Sequence, residues 1–346
     1  MIKVGIVGTS GYAGSELLRL LQGHPEAEVV YVASTTKVGQ RVDEVLPGFA
    51  GIVDLAFEPV DAEAMGKRCD VVFTATPHGV AGTLAGGILA GGAVLIDIGS
   101  DFRFADTAVY EAWYGEKHHA PELVERAVYG LVELFREQVR QAQIIANPGC
   151  YPTSALLALA PLAANDLIDL GGVVVCSMSG VSGAGATPKP MYHFPDCTEN
   201  VQAYGLPRHR HTPEIEQGLA RLLRREVPPL TFTPHLIPMS RGIMTHVNAP
   251  AKADLSDERL AEIYRDFYAN APFVRVLADR LPQTKLVAGS NFCDVAPRFE
   301  PRTRRVIVES AIDNLVKGAA GQAIQNLNVR FGLDERTGLW LAPVSP

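Results

Sequence analysis

Three side chains have the types and settings needed for covalent acyl chemistry. Cys150 stands in NPGCYPT, residues 147–153, and His209 and His211 flank Arg210 in LPRHRHTPE. The thiolate is the nucleophilic form of cysteine, but a free thiol titrates at about 8.5 and is only slightly ionised at neutral pH. If Pro152 is the first helical residue, Cys150 lies just ahead of a helix N-terminus, whose dipole favours an anion by about 0.3–1 kcal/mol. That is less than one pKa unit, which is worth ~1.4 kcal/mol, so a basic partner is needed as well. Thr212-Pro213-Glu214 reads as a second helix start, with Thr212 as cap and Pro213 as the first helical residue. A histidine held at that edge can take the thiol proton and later return it. The competing reading of Cys150 is a small apolar residue buried at a turn. His-x-His followed by Glu214 also suggests a metal site, but no further ligands of recognisable spacing accompany it, and no metal is expected.

A second chemical feature opens the chain. GIVGTSGYAGSELLRLL places Gly8, Gly11 and Gly14 directly after a strand-like run and at the head of a helix-like one. There the backbone N–H groups of Gly8-Thr9-Ser10-Gly11-Tyr12-Ala13 can approach a pyrophosphate, whose charge a helix N-terminus favours. The spacing is G-x-x-G-x-x-G rather than the common G-x-G-x-x-G, and close packing of helix on sheet is the alternative use of these glycines. The next strand-like run ends in Ser34, Thr35 and Thr36, with Lys37 and Arg41 following, where an NAD site usually carries an acid for the ribose 2′-hydroxyl. Hydroxyl and basic groups suit a 2′-phosphate instead, so the expected cofactor is NADP(H). Lys37 and Arg41 on a solvated loop are the bland alternative.

The elements that must hold these groups follow from periodicity. IKVGIVG, EVVYVAS, DVVFTAT, AVLIDIG and AQIIANPG read as buried parallel strands alternating with helices. That rhythm predicts an α/β Rossmann-type dinucleotide-binding domain over residues 1–149. Beyond the apolar helix TSALLALAPLAAN come GVVVCSMSG, LTFTPHLIP, GIMTHVNAP, NFCDVAP and RRVIVESAI, with few helices between them. Residues 150–313 therefore read as an α+β domain, mainly antiparallel sheet, carrying the catalytic and oligomerisation functions. NLVKGAAGQAIQNLNVRF, with Asn314 as N-cap, reads as a last helix that returns to the nucleotide domain over about 314–346.

Composition bounds the partners. The chain has 346 residues, a net charge of −7, 47% hydrophobic and 20% charged residues, and five scattered cysteines without a CxxC pair. No basic run or basic-aromatic alternation marks a nucleic-acid surface, and no apolar window reaches the ~18 residues of a membrane span. Disulfide scaffolding and zinc are not indicated. The N-terminus runs straight into a strand, without a secretory leader, so a cytoplasmic enzyme acting on a small molecule is expected.

Taken together, GTSGYAGSELLRLL, TATPHG, IDIGSDFRF, NPGCYPT, HRHTPEIEQ, SRGI and AIDNLVKGAAGQAIQNLN, in this order along nearly the whole chain, resemble the N-acetyl-γ-glutamyl-phosphate reductase family. This is the arginine-biosynthesis relative of aspartate-semialdehyde dehydrogenase. The resemblance implies NADPH-dependent reduction of an N-acetylglutamyl 5-phosphate to the 5-semialdehyde with release of phosphate, in a homodimer or homotetramer. It implies that Cys150 attacks the acyl phosphate and that a histidine of HRHTPE is the acid/base, His209 first and His211 second. Ser182 and Gly183 in SGVSGAGATPKP would border the nicotinamide, Pro77 would lie where the cofactor crosses the sheet edge, and Asn314 and Lys317 would open the last helix. For the substrate's anionic groups Arg103 comes first, because a guanidinium forks onto oxyanions; Ser100, Asn147 and Arg210 follow. A salt bridge from Arg103 to Asp101 or Asp106 is its alternative, Arg241 serves structure or substrate, and His78 is expected to be structural.

Three rivals share parts of this pattern. One is a sister reductase of carrier-bound α-aminoadipyl phosphate, which lacks the Tyr-Pro-Thr after the cysteine. A second, from another class, is a non-catalytic NADP sensor, against which the retained Cys150, His209 and His211 speak. A cysteine hydrolase would have little use for the glycine loop.

Overall fold

The apolar runs of the first half become the strands of one sheet. In the computed structural model, which describes residues 1–344, Ser345 and Pro346 at the end of the expected tail lie outside the described residues. The chain divides into two units. The first comprises Met1–Pro148 and Ala319–Trp340. Its elements are β1 (Ile2–Val7), α1 (Tyr12–Leu21), β2 (Ala27–Ala33), α2 (Val42–Val45), β3 (Phe57–Glu58), α3 (Ala62–Arg68), β4 (Val71–Thr74), α4 (Val80–Gly91), β5 (Val94–Asp97), α5 (Thr107–Tyr114), β6 (Ala127–Tyr129), α6 (Val132–Gln141) and β7 (Ile144–Ala146). The seven-stranded sheet runs β3-β2-β1-β4-β5-β7-β6, parallel throughout. Strand order reverses between β1 and β4, so the loops leaving those two strands diverge and open the crevice in which doubly wound sheets bind ligands. This is the Rossmann-type arrangement. β3 and β6, of two and three residues, escape the sequence reading because so short a run carries no alternation.

The second unit begins at Gly149. Its elements are α7 (Cys150–Ala164), β8 (Val174–Ser179), α8 (Phe194–Cys197), β9 (Gln202–Ala203), α9 (Thr212–Leu223), β10 (Thr231–Leu236), β11 (Ile243–Pro250), α10 (Asp257–Phe267), β12 (Val274–Val276), β13 (Cys293–Glu300) and β14 (Arg305–Ile312). The seven strands run β12-β13-β14-β11-β8-β10-β9. Pairing is antiparallel except at β12–β13 and β8–β10. The parallel β8–β10 pair exists because the chain between them carries α9, a crossover that brings β10 back in the same direction.

α7 forms the core of this unit. Every residue from Tyr151 to Ala163 is buried, as a helix apolar on all sides requires, and it packs on α9, β11, β13 and β14. Pro161 sits inside this helix and has no N–H for the Leu157 carbonyl one turn earlier. The Tyr268 hydroxyl donates to that carbonyl at 2.6 Å, so the lost helical bond is replaced from outside. Along the sheet, Val175, Ser177, Val247, Thr245, Val308 and Ser310 are buried, while the alternate residues Cys176, Met178, Met244, His246, Ile307 and Glu309 are half-exposed on the other face.

The chain rejoins the first unit at Ala319 rather than at Asn314, through a π-turn, Val316–Ala320, that leads into α11 (Gly321–Arg330). Asn314 is also not the N-cap expected of it. The Asp313 carboxylate accepts the N–H groups of Leu315 and Val316 at 2.8 and 3.1 Å, which leaves the Asn314 amide for the second unit. The segment beginning at Leu341 also groups with the second unit.

Candidate active site

Cys150 is the first residue of α7, with Gly149 as N-cap, rather than the residue ahead of the helix. Pro152 is therefore the third helical position, where a missing N–H costs nothing because the first-turn donors have no intrahelical acceptor. Cys150 lies within the turn that carries the positive end of the dipole. Its Cβ packs against Gly318 of the π-turn, where an added Cβ would stand 2.8 Å away. Only glycine lets that backbone pass so close.

The histidine segment is also offset, by one residue. α9 begins at Thr212 with His211 as N-cap, and Pro213 is its second residue. Thr212 is not the cap: its N–H donates to the His209 carbonyl at 3.0 Å, while the Ile215 N–H takes that of His211 at 3.0 Å. The Thr212 hydroxyl is buried without a partner among the described residues. Helical dihedrals at His211 (φ −80°, ψ −13°) extend the turn backward past the expected boundary.

The offset aims Glu214 inward. Its carboxylate is fully buried, accepts the Gly149 N–H at 2.7 Å, and approaches the His211 Nε2 at 4.0 Å. Around the histidines stand Tyr151, Tyr204 and Phe232, with His209 ring-centre distances of 5.6, 5.3 and 5.4 Å. The Tyr204 hydroxyl donates to that of Tyr151 at 3.0 Å, and Tyr151 donates to the His235 carbonyl at 3.2 Å. Burial holds both phenols well above their usual range, and negative charge on Cys150 adds to this. His209 is pushed the other way, down to about 4, by burial and then by neighbouring Arg210. Arg210 itself is exposed.

A second cluster in this unit joins other expected residues. The Asn314 amide donates to Ser182 Oγ at 3.0 Å and accepts the Gly242 N–H at 2.7 Å. Gly183 lies beside them. Arg241 pairs with fully buried Asp313 at 3.2 Å, which favours structure over substrate for that residue. Lys317 is buried beneath the Phe273 ring.

In the first unit the three loop glycines separate by role. Gly8 has φ +92°, and a Cβ there would lie 2.4 Å from the Ala75 carbonyl oxygen; at Gly14 it would lie 2.2 Å from the Gly8 oxygen. Both are glycine for the fold. Gly11, the N-cap of α1, has ordinary dihedrals and room for a Cβ, 3.5 Å from its nearest neighbour. No protein contact requires glycine there, so its use points to a close-approaching ligand. The buried Thr9 and Thr76 hydroxyls at the exits of β1 and β4 have no partner among the described residues. Ser10 and Tyr12 are exposed and Ala13 half-buried at the same helix start. These features fit a dinucleotide pyrophosphate at the strand-order reversal.

At the end of β2, Ser34 Oγ accepts the N–H groups of Thr36 and Lys37 at 3.2 Å each, and Thr35 is exposed. Arg41 is held by Asp43 and Asp54 at 2.9 and 2.8 Å. Pro77 is exposed just past β4. His78 stands edge-on to Tyr114 and 4.0 Å from Glu116.

Arg103 is buried and donates to the Asn147 carbonyl at 2.9 Å and to the Ile98 carbonyl at 3.0 Å. Asn147 is fully buried, its amide donating to Ala319 and accepting from Asn326 at 3.1 and 3.0 Å. Ser100 is buried on the same loop. Asp97 and Asp101 organise this loop. Asp97 accepts from the Thr74 hydroxyl and the Gly99 N–H, and Asp101 accepts the Gly79 and Gly82 N–H groups at 2.7 and 2.8 Å. Burial, then Asp101, raises Asp97 to about 7.

Glu214, Tyr151 and Tyr204 were not singled out by the sequence. In the sequence Glu214 reads as part of a helix start and as a possible metal ligand, because nothing local reveals a partner at Gly149. Among the described residues no group of three or more His, Cys, Asp and Glu side chains forms a metal site, and no helix is long and apolar enough to cross a membrane.

Residues 3–142 match the family described as semialdehyde dehydrogenase, NAD binding domain, and residues 150–314 match semialdehyde dehydrogenase, dimerisation domain. Among solved structures, aspartate semialdehyde dehydrogenase II from Vibrio cholerae is similar with a TM-score of 0.73 at 18% identity, covering 96% of this chain and 99% of that one. The Candida albicans aspartate semialdehyde dehydrogenase with NADP has a TM-score of 0.70 at 18% identity, covering 95% and 98%. At such identities the likeness concerns the fold. Sequence relatives are far nearer. The N-acetyl-gamma-glutamyl-phosphate reductase of Desulforudis audaxviator is 54% identical, covering 98% of each chain, and that of Desulforamulus reducens is 51% identical over 100% of each. With full-length identity at this level, this chain belongs to the N-acetyl-gamma-glutamyl-phosphate reductase family.

Proposed function

We propose that this chain catalyses the NADPH-dependent reductive dephosphorylation of N-acetyl-L-glutamyl 5-phosphate to N-acetyl-L-glutamate 5-semialdehyde and phosphate, in arginine biosynthesis. The observation that carries the mechanism is Cys150 at the first position of α7, with Glu214 bonded to the N–H just before it and both histidines at the start of α9. The Cys150 thiol gives up its proton to the histidine pair, and the thiolate attacks the acyl carbon. Phosphate leaves, and the acyl group remains on Cys150 as a thioester. NADPH, when bound, supplies the hydride that brings this thioester to the aldehyde level. Collapse of the thiohemiacetal releases the aldehyde and restores the thiol.

The Gly8–Ala13 loop would hold the pyrophosphate, and Ser34, Thr35 and Lys37 the 2′-phosphate; Pro77, Ser182, Gly183 and Asn314 are further candidates on the cofactor's path. Arg210, exposed beside the histidines, is the better candidate for a substrate anion; Arg103 and Asn147, buried on backbone carbonyls and on α11, position the loop that carries Ser100. The half-exposed face of the second sheet is where we expect homodimer or homotetramer contacts, and the enzyme is expected in the cytoplasm.

The test is reduction of NADP by N-acetylglutamate 5-semialdehyde, with and without inorganic phosphate, in wild type and Cys150→Ala. The expected result is phosphate-dependent turnover that Cys150→Ala abolishes. Turnover indifferent to that substitution would refute the mechanism, and no wild-type turnover would refute the activity.

A further inference from the structure

We propose that His209 is a fixed neutral hydrogen-bond donor, whose Nε2–H binds the oxygen of the reacting acyl group, and that proton exchange with Cys150 belongs to His211. This rests on the reading of Cys150 as the nucleophile and divides labour that the sequence left between two histidines.

The tautomer follows from geometry. His209 Nδ1 accepts the backbone N–H of His211 at 3.2 Å. A neutral imidazole carries one proton, so an accepting Nδ1 puts it on Nε2. Nε2 meets no protein hydrogen-bond partner among the described residues. The ring is clasped edge-on by Tyr151, Tyr204, Phe232 and His211, the last with ring centres 4.9 Å apart. An ideal Cβ on Gly205 would stand 3.1 Å from its Cδ2. Such a clasp fixes the ring plane.

The surroundings also forbid a charge. The titratable groups placed against this ring are Tyr151 of α7, Tyr204, Arg210 and His211. None of them is a carboxylate, and the two phenols stay un-ionised. Burial and then Arg210 push the imidazolium down to about 4. At neutral pH His209 thus has one nitrogen already protonated and the other occupied by a backbone N–H, so it has no site for the thiol proton. His211 differs in one respect, because the buried Glu214 carboxylate lies 4.0 Å from its Nε2.

The chemistry balances without further groups. The Cys150 S–H bond breaks and its proton passes to His211. The sulfur pair forms the S–C bond while the carbonyl π pair moves onto oxygen, which accepts the His209 Nε2–H. That pair returns as the C–O bond to phosphate breaks and phosphate leaves with the bonding electrons. A neutral donor stabilises the oxyanion without surrendering its proton. Loss of one such donor typically lowers kcat by about 10²–10³-fold.

The test uses the full-length wild-type enzyme labelled with ¹⁵N-histidine, observed from pH 5.5 to 8.5. The expected result is a His209 ring that remains the neutral Nε2–H tautomer throughout; a ring that titrates near neutrality, or carries its proton on Nδ1, overturns the proposal. Alkylation of Cys150 by iodoacetamide against pH supplies the second arm. His211→Asn should move that profile upward by about one pH unit or more. His209→Ala should leave it in place while lowering kcat by about 10²–10³-fold, and His209→Gln, which keeps an N–H, should recover part of the loss. The reverse pattern overturns the division of roles. Turnover that survives in Cys150→Ala would instead sink the nucleophile reading, leaving the His209 tautomer separately measured.

Discussion

The Glu214 carboxylate accepts the Gly149 N–H at 2.7 Å, binding the first turn of α9 to the residue before Cys150. One buried carboxylate thereby ties down the start of the Cys150 helix and lies 4.0 Å from the His211 Nε2. A charge-assisted hydrogen bond of this kind is worth about 1.5–3 kcal/mol when buried. Glu214→Gln keeps the shape and removes the charge. We expect it to slow Cys150 alkylation at neutral pH and to lower kcat, while thermal unfolding shows a folded protein. Cys150 alkylation and kcat both at the wild-type level would contradict a role for the charge.

Gly11→Ala isolates cofactor binding from folding. The site has ordinary dihedrals and space for the methyl group within the protein, so stability should hold while NADPH affinity falls, by about tenfold for a loss of ~1.4 kcal/mol. Gly14→Ala should behave oppositely and destabilise the fold, since its Cβ would meet the Gly8 carbonyl at 2.2 Å. NADPH fluorescence titration and thermal melts read the two effects apart.

Tyr268→Phe should destabilise the second unit by about 1–3 kcal/mol, because it leaves the Leu157 carbonyl buried without a donor. In a Pro161→Ala background the restored helical N–H should shrink that cost. Urea unfolding of the four variants forms the double-mutant cycle, and equal costs in both backgrounds would show that Tyr268 does not compensate Pro161.

Stability should respond to His246. Its pKa is raised, chiefly by the 2.7 Å hydrogen bond to Glu309. A raised folded-state pKa stabilises fully below the unfolded value of about 6.5 and is lost as pH rises through the folded value. The pair is partly exposed, so the effect is small and screened by salt. His246→Asn should flatten this segment of the stability–pH curve, measured by urea unfolding from pH 5.5 to 9.

Where a long apolar run met a clear exit, the fold was legible. IKVGIVG, DVVFTAT and AVLIDIG became β1, β4 and β5 because buried parallel strands need little beyond such runs. Short strands such as β6 and β9 left no period to read. The starts of α7 and α9 lie two residues and one residue ahead of where a proline at the first helical position predicts, because proline is tolerated anywhere in the first turn. Chemistry-bearing residues were readable from type and local punctuation, but their partners were not. Asp313 displaced Asn314 as cap, and Glu214 reached Gly149 across 65 residues. Such contacts are set by packing, which a local pattern does not encode.

The central claim is that Cys150 carries the acyl group. Wild-type enzyme mixed with N-acetylglutamyl 5-phosphate in the absence of NADPH, quenched in acid and examined by intact-mass and peptide mass spectrometry, tests it directly. The expected result is an N-acetylglutamyl adduct on the peptide containing Cys150, discharged by hydroxylamine and absent in Cys150→Ala. An adduct on another residue, or full turnover in Cys150→Ala, would contradict it.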